Sequence, residues 1–148
     1  MKTFRMRHED VVRRWYHMDA SGQTLGHLAV KAAVILMGKD QPTFTPGVDT
    51  GNFVVVTGAK DVHVTGNKED KKVYRRHTGW VGGLREETLG EKRAAKPEQI
   101  VEFAVRRMLP KTRLGRQMFR RLKVYAGDEH PHSAQKPDTI KVAPTENS

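Results

Sequence analysis

WYHMDASGQTLGHLAVKAAVILMG, residues 15 to 38, is the stretch on which the fold is decided. Trp15 to Asp19 reads as a first strand, with Ala20-Ser21-Gly22 as the turn that ends it. Thr24 stands at a helix N-cap, and Leu25, Leu28, Ala29, Ala32 and Leu36 recur at helical spacing until Gly38 stops the run. Residues 39 to 52, with Pro42, Pro46, Gly47 and Gly51, read as a long loop leading to FVVVT at 53 to 57. Such an unbroken β-favouring run suits a strand covered on both faces. Strand, helix, strand with a long connection favours a parallel α/β sheet over an antiparallel barrel. VTGAK at 56 to 60 recurs as VTGNK at 64 to 68, which reads as two similar strand-end turns with Gly58 and Gly66 at positive φ.

At 148 residues the chain makes one domain that buries roughly two thirds of its unfolded surface. Lys and Arg outnumber Asp and Glu by 27 to 17, a net charge of +10, so the expected partner is a phosphate polymer or an anionic surface. The longest apolar run, Ala32 to Met37, is far below the roughly 18 residues a membrane span needs. The start, MKTFRMRHEDVVRRW, has charges throughout and no secretory core segment, and the absence of cysteine excludes disulfides and thiolate metal sites. A cytosolic protein is expected.

The excess charge is concentrated in VRRMLPKTRLGRQMFRRLKVY, residues 105 to 125. From Phe103 to Gly127 there is no acid, while Arg106, Arg107, Lys111, Arg113, Arg116, Arg120, Arg121 and Lys123 supply eight cations. A helix from Leu114 to Lys123 would gather Leu114, Met118, Phe119 and Leu122 on one side and Arg113, Arg116, Arg120 and Lys123 near the other. The apolar side packs, and the planar guanidinium forks remain for phosphate. A second basic stretch, KKVYRRHTGWVGGLR at 71 to 85, holds Lys71, Lys72, Arg75, Arg76 and His77 beside Gly79, Gly82 and Gly83. Its cations and glycines together read as RNA contact, whereas Tyr74 and Trp80, taken singly, read as core aromatics of a hairpin or loop.

Between these stretches, Glu86 to Ala95 reads as a short helix. Pro97 opens a second one with Ile100, Phe103, Ala104 and Arg107 on one face, ending before Pro110. LKVYAG at 122 to 127 reads as a last strand and turn, and residues 133 to 148 as an extended, mobile tail. Residues 1 to 14 read as a surface arm whose Arg13 and Arg14 add to the basic surface. No phosphate loop or dinucleotide fingerprint is present, and GWVGG lacks the spacing and preceding strand of one. His130 and His132 lack a third metal ligand at a recognisable spacing, so neither metal nor cofactor is expected. Two rivals to an RNA binder stand open: a DNA-binding regulator built on helix, KTRLG turn and basic helix, and an enzyme acting on RNA or nucleotides.

The same stretches resemble the bacterial large-subunit ribosomal protein L-thirteen family from about Trp15 to His132. The most specific matches are VRRMLP at 105 to 110, Gly115-Arg116, Leu122 and VYAG at 124 to 127. DASGQTLGHLA at 19 to 29, TPGVDTGNFVVV at 45 to 56, VYRRHTGWVGG at 73 to 83 and GDEHPHSAQKP at 127 to 137 extend the likeness. His27, Asp40, Asn52 and Thr112 depart from the residues usual there. The resemblance implies a three-layer α/β/α single domain over 15–132 with a central four-stranded parallel sheet, to which the residues themselves add a basic arm over 1–14 and a tail over 133–148. It implies a structural, non-enzymatic constituent of the large ribosomal subunit in the cytoplasm, binding large-subunit rRNA beside neighbouring ribosomal proteins and taking part early in assembly. Membrane and small-molecule partners are not expected. RNA contact is expected from Lys71, Lys72, Arg75, Arg76, His77, Gly79, Gly82, Gly83, Arg106, Lys111, Arg113, Arg116, Arg120, Arg121 and Lys123.

Overall fold

Three consecutive valines, Val54, Val55 and Val56, lie at the centre of the computed structural model, which describes residues 4–142, and none is exposed. They belong to β2 (Phe53–Thr57), which pairs in parallel with β1 (Trp15–Asp19) and, on its other edge, with Leu122–Val124. Between β1 and β2 runs α1 (Leu25–Met37), as its apolar spacing predicts. It ends at Gly38 with φ 76°, where the amides of Gly38 and Lys39 bond back to Ile35 and Val34.

The chain continues through α2 (Lys68–Lys71), an antiparallel hairpin of β3 (Val73–His77) and β4 (Leu84–Thr88), then α3 (Leu89–Ala95), α4 (Glu98–Met108), α5 (Arg113–Phe119), β5 (Leu122–Val124) and β6 (Asp138–Thr139). The main sheet has the order β5-β2-β1-β6 and every pair in it is parallel. Its fourth strand comes from the segment that the sequence reads as tail. There Ile140 donates its amide to the carbonyl of His17, and Val142 is buried. Residues 143–148 of that tail, and 1–3 of the arm, lie outside the described residues.

Strand alternation sends Tyr16, Met18, Val54, Val56 and Leu122 to the face covered by α1, α4 and α5, where Leu28, Leu36, Ile100, Val101, Val105 and Met118 complete the core. Trp15, His17, Phe53 and Val55 share the opposite face. There Trp15 stacks on Phe53 at 4.3 Å between ring centroids, and the segment after β5 lays His130 and His132 against His17 and Trp15 of β1.

Two elements differ from the sequence reading. The helix expected over 86–95 begins only at Leu89, because Glu86 and Glu87 pair with Arg75 and Tyr74 in the hairpin. Thr88 starts it with a capping box: the Thr88 hydroxyl accepts from the Glu91 amide, and the Glu91 carboxylate accepts from the Thr88 amide at 2.8 Å. The basic helix runs only from Arg113 to Phe119, not to Lys123, since Leu122–Val124 are drawn into the sheet beside β2. A helix this short has little intrinsic stability, so strand pairing decides where it stops.

The loop over 39–52 is sealed by a buried ion pair. Asp49 is 3% exposed and accepts two bonds from the Arg121 guanidinium, which also donates to the carbonyls of Leu36, at 3.0 Å, and Asn52, at 3.3 Å. Arg13 reaches the same carboxylate at 3.4 Å. Beside this pair the backbone passes so close that a Cβ on Gly51 would lie 1.7 Å from the Leu36 carbonyl oxygen. Removing one partner of a buried pair strands the other charge and costs about 3–5 kcal/mol. Asp49→Ala should therefore lower the melting temperature by roughly 10 °C or more. A variant that melts with the parent would show that the pair does not hold the loop.

Candidate nucleic-acid interface

Thr112 caps α5 by accepting from the Gly115 amide at 3.2 Å, with its own backbone extended at φ −116°. The turn therefore does not require a glycine at this position. Gly115 is the residue with no alternative, because a Cβ there would meet the Pro110 carbonyl oxygen at 1.8 Å. This close approach folds α5 back on the end of α4 and opens a groove of about 500 Å³ between them. Leu109, Pro110 and Phe119 supply apolar lining, and Arg106, Lys111, Arg116 and Arg120 supply cations. The Arg106 guanidinium lies 6.0 Å from the centre of the Phe119 ring.

Arg106, Lys111, Arg113, Arg116 and Arg120 are exposed, and none makes an ion pair among the described residues. The apolar side of α5 packs as expected, with Met118 4% exposed. Two expected RNA contacts lie elsewhere. Arg121 is buried and bound to Asp49, so its guanidinium is a structural tie and no part of the cationic surface. Lys123 sits in β5, where alternation places it with Val55 and His17 and not on the helix face of Arg116 and Arg120. Arg13 also bonds to Asp49, at 3.4 Å, while the residue itself stays exposed.

The second expected contact is the β3–β4 hairpin. Its Lys71, Arg75, Arg76, His77, Gly79 and Gly82 are exposed, while Lys72 and Gly83 are half-buried. Arg75 is bound across the strands to Glu86 at 2.5 Å, but Arg76 stands directly opposite Arg85. Like charges facing one another in a ladder are destabilising on their own. Tyr74 is buried, as expected of a core aromatic, with its ring 5.8 Å from that of Phe103. Lys72, Lys92 and Arg107 approach the Tyr74 ring at 5.3, 5.7 and 5.9 Å. Burial, then the nearby Arg107 and Lys68 charges, lowers the Lys72 pKa, and burial raises that of the Tyr74 hydroxyl. Trp80 departs from the core reading: it is 80% exposed at the hairpin tip.

The two cationic regions meet at α4. Arg106 lines the α5 groove, and the adjacent Arg107 lines a cavity of about 200 Å³ against the hairpin with Tyr74, Arg76, Lys92 and Phe103. Arg85 and Arg107 belong to the two basic stretches of the sequence, whereas Lys92 lies between them. The hairpin register gives Arg85 its place, and Arg107 could have been found from its helical neighbourhood with Phe103.

This is a strongly cationic surface carried on an α/β domain. The family model described as "Ribosomal protein L13" matches residues 13–131. The chain is 54% identical to the large ribosomal subunit protein uL13 of Alcanivorax borkumensis, over 96% of this chain and 100% of that one. It is 52% identical to that of Symbiobacterium thermophilum, over 95% and 99%, and 54% identical to that of Bacillus cytotoxicus, over 95% and 97%. The chain belongs to the ribosomal protein L13 family, whose members are structural components and not enzymes.

His130 and His132, the residues weighed as metal ligands, close the far face of the sheet. No group of three or more potential metal-binding side chains occurs among the described residues. His132 shares a 2.8 Å hydrogen bond with the Tyr125 hydroxyl and lies 5.1 Å from the Trp15 ring, while His130 lies 5.3 Å from His17. Burial, then the neighbouring His130, pulls the pKa of both His17 and His132 below the ordinary value of 6.5; Asp19 opposes this at His17, and Lys123 adds to it at His132. The unfolded chain thus takes up protons first. The contribution of these imidazoles is complete above about pH 6.5 and is lost as pH falls through the window below it. The melting temperature should drop between pH 7.5 and 5.5, and replacing both residues with Gln should flatten that dependence. An equally steep dependence in the double variant would assign it to other groups.

Proposed function

We propose that this protein is a structural constituent of the large ribosomal subunit, held in the cytoplasmic ribosome by direct binding to large-subunit rRNA. The observation that carries the reading is the α5 groove, where the exposed Arg106, Lys111, Arg113, Arg116 and Arg120 have no carboxylate partner among the described residues. Arginines left unpaired on packed elements suit phosphate, which they bind bidentately while displacing condensed counterions. Folded RNA offers phosphates at fixed spacings, so shape supplies the specificity. The names of the relatives, all large ribosomal subunit proteins, support the same assignment.

Participation early in subunit assembly is part of the same proposal and rests on the family resemblance alone. The DNA-regulator reading is the weaker one. α5 has only seven residues, and its cations line a groove with the end of α4, an arrangement ill suited to entering a major groove.

Arg116→Glu with Arg120→Glu should weaken binding to large-subunit rRNA at least tenfold and make the dependence of log K on log salt shallower by about two, with the melting temperature near that of the parent. Arg121→Met should do the reverse, lowering stability and leaving the salt slope alone. If the double reversal leaves affinity and slope unchanged, the groove is not the rRNA contact.

A further inference from the structure

The hairpin tip carries apolar side chains that nothing in the domain covers. Trp80 is 80% exposed, Leu84 is 55% exposed, and Val81 is fully exposed. An indole in water is an unfavourable placement unless something else takes it up, because aromatic side chains bury the largest apolar areas of any residue. The loop that presents it is closely tied. The Thr78 amide donates to the Gly83 carbonyl at 3.0 Å, the Gly83 amide to the Trp80 carbonyl at 2.9 Å, and the Gly79 amide to the His77 ring at 3.0 Å. Gly79 and Gly82 hold φ of 94° and 71°, and a Cβ on Gly83 would lie 2.0 Å from the Thr78 hydroxyl. The backbone is thus fixed while the indole is left free.

We infer that Trp80 stacks on an unpaired base of large-subunit rRNA, with the cationic hairpin stem guiding the phosphates on either side of that base. The inference rests on the rRNA-binding reading and deepens it. Charge selects RNA over an apolar protein pocket: residues 71–85 include no acid, Arg76 faces Arg85, and Glu86 and Glu87 are occupied by Arg75 and Lys92. A single-stranded base suits a lone indole because every base offers a π face, whereas paired bases in an A-form helix are out of reach of such a tip. A loop already ordered before binding keeps the entropic cost of docking small.

The test measures binding of the full chain to protein-free large-subunit rRNA at three salt concentrations, with chemical probing of unpaired bases. Trp80→Ala should melt like the parent, bind about tenfold or more weakly at every salt concentration with an unchanged salt slope, and lose protection of a base shielded by the parent. Trp80→Phe should restore most of the affinity. Parent-like binding and protection by Trp80→Ala would overturn the inference while leaving the rRNA-binding reading intact. So would parent-like rRNA binding combined with poor incorporation into subunits, since that outcome assigns the indole to a protein neighbour. Failure of the parent itself to bind rRNA would sink both readings.

Discussion

A single buried carboxylate holds together parts of the chain that are far apart in sequence. Asp49, in the middle of the long loop, receives Arg13 from the arm and Arg121 from the end of the basic segment. Arg121 in turn binds the carbonyl of Leu36 at the end of α1 and that of Asn52 at the start of β2. Ion pairs of this kind add little net stability over an apolar substitute, because removing the charges from water is costly. What the pair contributes is position: α1, the loop, β2 and β5 can meet in one arrangement in which no charge is stranded.

That constraint also explains how the basic segment divides its labour. Arg120 and Arg121 are neighbours, yet the first is exposed at the groove and the second is locked inside. The inward residue anchors the point where α5 passes into β5, so the outward cations are carried by a fixed frame. Gly115 and Thr112 do the corresponding work at the other end of α5, one by allowing backbone contact with Pro110 and the other by capping. Mutual repulsion among the surface arginines is tolerated because packing, not local helix preference, decides the conformation.

Much of this was legible in the sequence. The first strand, α1 with its Gly38 stop and the valine strand follow from periodicity and turn chemistry, and together they announce the parallel sheet. LKVYAG is a strand as its residues suggest, but the helix end is overextended to Lys123 because Leu114, Met118 and Leu122 satisfy a helical period, whereas the partner that captures Leu122–Val124 lies almost seventy positions earlier. The buried role of Arg121 was hidden for the same reason, since its partner Asp49 lies in a loop with no periodic signal. β4 was hidden by its acidic residues, although Thr88 and Glu91 already spelled a capping box that places the helix start after them. For Trp80 the prior for a large aromatic favoured the core, and the bracketing glycines marked a tip instead. Tyr74, lacking such a bracket, went where the prior sent it.

Consider finally Arg106 and Arg107, adjacent in the last turn of α4 and aimed at Phe119 and Tyr74 respectively. The two cationic regions diverge from successive residues, about 100° apart around a helix whose buried face is locked into the core, so their spacing cannot stretch the way a linker would. α4 acts as a gauge block. On the rRNA-binding reading proposed above, a polyanion with its charges at the wrong interval would satisfy one region or the other but not both.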